Sequence, residues 1–297
     1  MPRLLTGALK PPRIYRNLPV PGWFHESTSE ALQNMELRPT DIVLCSWPKS
    51  GTHWVYRALR LLTMVAPPEP PMVLAEMLTS DAVAEAPRFP PHAADTFPSY
   101  LKRETDPRII VSHATPELMP SFERAGKLVY VTRDPRDVVT SNYFFMGTPA
   151  DGWDGSMRRF CAPADETPNA FGAWPEHVRA FEQLAARLQT RAVVVEYEKM
   201  HEDLRGTLKR LAALIGPAAE ARLEADADSI MAALGFDAMK ADATAGHTAF
   251  LRKGVSGGWR EHFSEEDERA VMGMVAARLP LEATSVAGVG AWRGRPT

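Results

Sequence analysis

Three stretches of this 297-residue chain set basic side chains beside a glycine or a helix start, an arrangement that holds anions. In the first, Trp47-Pro-Lys-Ser-Gly-Thr-His-Trp54 follows the apolar run Asp41-Ile-Val-Leu-Cys-Ser46. Lys49 supplies a point charge, Gly51 lets the backbone approach a ligand, and the helix start beyond it offers unpaired N–H groups. The lysine precedes the glycine, unlike G-x-x-x-x-G-K-[ST], so the loop does not place that charge for a γ-phosphate. In the second, Tyr130-Val-Thr-Arg-Asp-Pro-Arg-Asp-Val-Val139 leads to Ser141 on the helix that follows. The Arg133 guanidinium suits bidentate oxygen recognition, although Arg133 and Asp137 also fit a surface ion pair of little worth. In the third, Leu251-Arg-Lys-Gly-Val-Ser-Gly-Gly-Trp-Arg260 places Arg252 and Lys253 against Gly254. That segment reads as a phosphate clamp or as a basic surface loop. His113, in Val111-Ser-His-Ala-Thr115, follows an apolar segment and is the candidate base for a proton taken near neutral pH. The other histidines (25, 53, 92, 177, 201, 247 and 262) lack comparable context, although His53 lies inside the first anion loop.

These groups need a scaffold that gathers the ends of strands. Asp41–Ser46, Arg108–Ser112, Lys127–Thr132 and Arg191–Glu196 are compact apolar runs bounded by polar residues, the pattern of strands buried on both faces. Helices are predicted after Trp54 through Leu59, Leu62 and Val65, from Pro116, from Pro135 with Asp134 as cap, and from Glu202 to Leu214. Alternating strands and helices predict an α/β fold with a central parallel β-sheet flanked by helices on both faces. Ligands in such sheets bind at the carboxyl ends of the strands, where most of these motifs fall. A single domain is expected over residues 1–297, with residues 1–40 an irregular lead-in carrying one short helix. The Pro-, Asp- and aromatic-rich stretches from about 66 to 106 and 147 to 169 read as lids or acceptor walls.

The net charge of -3 excludes a global basic field of the kind that draws proteins to nucleic acid. The two cysteines, Cys45 and Cys161, have no metal-ligand spacing, and reduced thiols fit a cytoplasmic protein. The start, MPRLLTGALK, does not read as a secretory signal, and no apolar run is long enough to span a bilayer.

Pro48-Lys-Ser-Gly-Thr-His-Trp54 resembles the 5′-phosphosulfate loop, PKSGTTW, of the cytosolic sulfotransferases, with His53 in place of a threonine. The resemblance continues through Tyr130–Phe145 (YxxRNPKDxxxSxxxF, with Asp134 and Arg136 for Asn and Lys) and Arg252–Phe263 (RKGxxGDWKxxF, with Gly258 and Arg260 for Asp and Lys). Tyr197-Glu-Lys-Met200 is similar to YEDM, and Phe236–Lys240 to SFxxMK. Five segments in the family's order, from residue 41 to 264, span about three-quarters of the chain.

The resemblance implies a P-loop-like sulfotransferase fold and a donor, 3′-phosphoadenosine 5′-phosphosulfate (PAPS), that leaves as 3′-phosphoadenosine 5′-phosphate (PAP). Lys49, Ser50, Gly51, Thr52 and His53 would lie against the 5′-phosphosulfate, and Trp54, Tyr197, Phe236 and Met239 about the adenine. Arg133, Ser141, Arg252, Lys253 and Gly254 would hold the 3′-phosphate. His113 matches the histidine of KTHLP, the family's base, and Lys49 would meet the charge developing at transfer, with Ser141 restraining it until acceptor arrives. Val111 stands where some relatives carry a lysine. No metal is expected, because PAPS presents less charge at sulfur than a triphosphate does at its γ-phosphate. The partner is a small hydroxylated acceptor. Aromatics such as Trp23, Phe89, Phe97, Tyr100, Phe144 and Trp153 favour an apolar one. A P-loop kinase is the competing enzyme class, but no apolar strand ends in the Asp that would hold Mg²⁺. The family's dimer motif, KxxxTVxxxE, would fall at Arg260–Arg269, where REHFSEEDER departs from it at the centre and the close.

Overall fold

The expected irregular lead-in carries a small antiparallel pair. β1 (Arg13–Tyr15) lies beside β2 (Leu18–Val20), with Arg13 opposite Val20 and Tyr15 opposite Leu18. Strands of three residues are too short to show a period of two in sequence. The computed structural model describes residues 13–15, 18–20, 36–65, 106–146, 172–242 and 251–279. The short N-terminal helix, the two long stretches and the aromatics Trp23, Phe89, Phe97, Tyr100 and Trp153 lie outside the described residues.

The four predicted core strands form one parallel sheet. β3 (Ile42–Ser46) is flanked by β4 (Ile109–Ser112) and β5 (Lys127–Thr132), and β6 (Ala192–Glu196) pairs with β5, giving the order β4-β3-β5-β6. Every residue of β3 and β4 is buried, so each strand serves two cores and shows no polar alternation. Val43, Cys45, Ile110, Leu128 and Tyr130 face one cluster. It is completed by α2 (Pro135–Met146), α3 (Trp174–Leu188) and the C-terminal helix Glu265–Arg278. Ile42, Leu44, Ile109, Val129 and Val131 face the opposite cluster with α1 (Thr52–Thr63). Helices therefore cover both faces, as the sequence predicts.

Beyond β6 the chain continues through α4 (Tyr197–Glu202), α5 (Leu204–Ile215), α6 (Pro217–Ala233), α7 (Phe236–Ala241) and α8, the helix Glu265–Arg278. α5 begins on Asp203, whose side chain accepts from Gly206 N, and α8 begins on a Ser264–Asp267 capping box. The segment where the family's dimer motif would fall is thus partly used as a helix start.

One predicted helix is replaced. No α-helix starts at Pro116, and a 3₁₀ segment runs from Pro120 to Arg124. Pro120 has no N–H to bond the carbonyl of Pro116, and its ring would clash there, so a helix begun at Pro116 cannot pass it.

The end of the sheet away from the motifs is fixed by a buried ion pair. Arg108 Nε donates to Asp41 Oδ1 at 2.8 Å and its Nη2 reaches Oδ2, with the two side chains 4% and 0% exposed. Losing one partner would strand a buried charge at a cost of about 3–5 kcal/mol. Among the described residues no helix is long and apolar enough to cross a membrane.

Candidate active site

The first anion loop leaves the carboxyl end of β3 and turns into α1 through two residues at positive φ. Lys49 sits at φ 69 and Gly51 at φ 102. A lysine in that region carries strain, which places like this commonly store where a ligand is held. Gly51 is the α1 N-cap without a side-chain bond, and no acidic residue occupies the first turn. The positive end of the helix dipole therefore faces the loop unneutralised. A Cβ on Gly51 would lie 2.5 Å from Cδ2 of Tyr197. Gly51→Ala is expected to cost about 1–3 kcal/mol of stability from backbone strain and clash. An unchanged melting temperature would contradict this reading of the loop.

Two basic segments close on the same loop. Arg133, just beyond β5, donates from Nη1 to Lys49 O at 3.3 Å and from Nη2 to Val255 O at 2.9 Å. Its guanidinium also lies 4.1 Å from the centre of the Tyr197 ring. Asp137, in the first turn of α2, lies 3.9 Å from Arg133 Nη2, but the pair is largely buried and not on the surface. Asp137 itself is buried and accepts from Gly257 N at 2.6 Å and Trp259 N at 2.9 Å, fastening the C-terminal loop onto α2. The Trp259 ring then meets the guanidinium groups of Arg136 (4.1 Å) and Arg260 (4.5 Å). Asp134 caps α2 as predicted, accepting from Arg136 N at 2.9 Å, while Asp134 N donates to Glu198 Oε1 at 2.9 Å. Burial raises the Glu198 carboxyl to about 7.

Gathering cations around a half-buried lysine has an electrostatic result. Burial, then Arg133, then Arg252 pull the Lys49 ammonium down to about 7. Arg252 is exposed and stacks 4.4 Å over Phe144, and Lys253 pairs with Glu261. Gly254 is at φ 65, and a Cβ there would collide with the Phe236 ring. Phe236 opens α7 and Met239 is buried one turn on. Trp54 donates from Nε1 to Leu234 O at 3.0 Å and stands edge-on to Tyr197 at 5.4 Å. His53 is partly buried on the first turn of α1, beside Thr52 and Trp54. Ser141 is half-buried in α2, and among the described residues no hydrogen bond joins it to Lys49 or Arg133.

His113 is the first residue beyond β4 and is 8% exposed. Its Nδ1 is 2.7 Å from Ser46 O and 3.4 Å from Ser46 Oγ. A carbonyl oxygen only accepts, so Nδ1 carries the proton and the lone pair sits on Nε2. Ser46 Oγ in turn meets Thr52 Oγ1 at 2.6 Å, tying the histidine to the first turn of α1. Burial lowers the His113 imidazole to about 4, and the Lys49 charge acts in the same direction. The ring is thus neutral near pH 7, the form a proton acceptor needs. Val111 is buried in the sheet core, so no cation stands two residues before it.

The carboxyl edge of one sheet therefore brings together Lys49, Gly51, Tyr197, Arg133, Arg252 and His113 from segments far apart in the chain. Sequence reading missed Ser46 and Asp137, whose partners lie 67 and 120 residues away. It also passed over His177, in which the one available signal was a histidine on the apolar stripe of a helix that includes Trp174, Val178 and Phe181.

A model of the sulfotransferase domain matches residues 39–279. The chain belongs to the sulfotransferase family. Sulfotransferase 2B1 of Rattus norvegicus is 29% identical over 269 residues, covering 84% of this chain and 74% of the relative. The crystal structure of mouse sulfotransferase SULT7A1 complexed with PAP aligns with a TM-score of 0.67 at 22% identity, over 91% of this chain and 95% of that one. Retinol dehydratase in complex with androsterone and PAP aligns with a TM-score of 0.68 at 20% identity, over 90% and 88%. At these identities the solved structures establish the sulfotransferase fold. Family membership makes the chain a sulfotransferase, and the motifs that sequence resemblance singled out lie within the matched span.

Proposed function

We propose that this sulfotransferase uses PAPS as donor, transfers its sulfuryl group to the hydroxyl of a small, apolar alcohol or phenol, and works in the cytoplasm as one domain over residues 1–297. The observation that carries the reading is His113, a neutral base held by Ser46 at the foot of the loop bearing Lys49. In this reading His113 Nε2 takes the acceptor's proton as its oxygen bonds to sulfur. The bond from sulfur to the 5′-phosphate oxygen breaks, and PAP carries away the electron pair. Lys49 and the α1 N-terminus face the charge that grows on that oxygen. Ser50 Oγ, Thr132 Oγ1 and Arg133 Nε are buried without a hydrogen-bond partner, which fits a site that supplies donors to phosphosulfate and phosphate oxygens. The PAP-bound solved relatives support the donor, and androsterone in one of them supports an apolar hydroxyl acceptor.

A thermal shift separates this from nucleotide kinase chemistry. PAP at a hundred times its Kd should stabilise by about 2.7 kcal/mol, roughly 5 °C for a chain of this size. ATP with Mg²⁺ should do far less, and the reverse order would overturn the donor assignment.

Lys49 adds a pH signature. With its ammonium at about 7 in the free protein, the lysine is mostly neutral at pH 8. A bound anion favours the charged form and raises the value, so binding takes up a proton above pH 7. PAP affinity should therefore weaken as pH rises past 7. Calorimetry at pH 8 in buffers of different ionisation heat should show uptake approaching roughly one proton. No uptake would remove Lys49 from the anion site.

A further inference from the structure

Behind His113, on the side of the sheet covered by α3, lies a second histidine that the proposed chemistry leaves unused. His177 is 0% exposed, and its Nε2 lies 3.0 Å from the main-chain oxygen of His113. That oxygen accepts, so Nε2 bears the proton and Nδ1 must accept. Nδ1 meets Tyr130 Oη at 3.0 Å, which makes the phenol the donor. The direction of every bond is then fixed: Tyr130 O–H to His177, His177 N–H to the His113 carbonyl, and His113 N–H to the Ser46 carbonyl.

We propose that His177, held by Tyr130, is a positioning residue that sets the backbone of the base His113 and thereby aims its Nε2. The β3–β4 register ends at Cys45 opposite Ser112, one residue short of His113. The carbonyl of the base is thus gripped by a side chain where the ladder has stopped. The grip itself is rigid. Tyr130 stacks on Phe181 at 4.5 Å and 7° between planes, and His177 lies 4.9 Å from the same ring. Burial holds His177 neutral, lowering it to about 3, and raises the Tyr130 phenol, so neither group changes its proton near pH 7. A relay with one proton per link cannot reverse without breaking all its bonds, and it reports on the base without touching either substrate.

The inference rests on His113 being the base, so the experiment tests the two separately. An asparagine at 177 places its amide near Nδ1 and cannot reach the His113 carbonyl, whereas a glutamine carries its NH₂ near Nε2. His177→Asn should lower kcat roughly ten- to a hundredfold with PAP affinity and acceptor KM near parent, and His177→Gln should recover most of it. NMR of nitrogen-labelled histidine should show His113 as a single Nδ1–H tautomer in the parent and a mixture in His177→Asn. Tyr130→Phe, which removes only the hydroxyl, should shift that spectrum in the same direction and serves if the Asn variant does not fold. Parent-like kcat and an unchanged His113 spectrum in these variants would overturn the relay. If His113→Ala keeps its turnover, the base assignment falls, while the tautomer readout still decides whether His177 sets the ring.

Discussion

His113→Ala is expected to lose between about two and four powers of ten in kcat while binding PAP nearly as tightly as the parent. The separation follows from the geometry. The imidazole bonds the Ser46 carbonyl, and the Ser46 hydroxyl meets Thr52 at the start of α1. It adds no charge to the anion site, because burial keeps it neutral at working pH. Removing it therefore takes away a proton acceptor and leaves the cations of the loop in place. The comparison is kcat with saturating donor and acceptor, set beside calorimetric titration with PAP. Turnover within tenfold of the parent would remove His113 from the mechanism, and a collapse of PAP affinity would mean that its role is structural.

The second large effect concerns the 3′-phosphate. Arg133 and the Arg252–Gly254 segment come from distant parts of the chain, and Arg133 already bonds Val255 O across 122 residues. Asp137 holds the two segments together through Gly257 and Trp259. Charge-assisted hydrogen bonds to a dianion contribute about 1.5–3 kcal/mol each, so two of them exceed a hundredfold in affinity. The parent should bind PAP at least a hundredfold more tightly than adenosine 5′-phosphate. Arg133→Ala should lose most of that ratio. Because the substitution also frees Lys49 O and Val255 O, both affinities will fall, and the ratio isolates the 3′-phosphate. A variant that keeps the parental ratio would place the 3′-phosphate elsewhere.

The sheet was legible because strands buried on both faces are plain apolar runs. Lys127–Thr132 is recovered to the residue, and the other three begin one residue later than read. The helix expected at Pro116 failed on a local rule, the proline four residues further on, that helix-start signals alone do not weigh. β1 and β2 were too short to carry a pattern. Within the site, the residues that the sequence singles out and the fold brings together are those whose chemistry is local to a short string: Lys49 and Gly51 in a loop, Arg133 at a strand end, Arg252 beside a glycine. What no string reveals is convergence. Ser46 reads as the last residue of a strand, Asp137 as half of an exposed pair, and His177 as a histidine without context. Each role rests on a hydrogen bond between a side chain and a main-chain atom 64 to 122 residues apart. Backbone carbonyls and amides are the same for every residue, so side-chain pattern holds no trace of which one a distant group will meet.

Under the proposed function a sulfuryl group passes from PAPS to a hydroxyl. Incubating the parent and His113→Ala with sulfur-labelled PAPS and a panel of apolar alcohols and phenols tests it most directly, with phosphorus-labelled ATP as the parallel donor. The expected result is a labelled sulfate ester of at least one acceptor with the parent, little or none with His113→Ala, and no label transferred from ATP. Label passing from ATP to an acceptor, with none from PAPS to any hydroxyl compound, would contradict it.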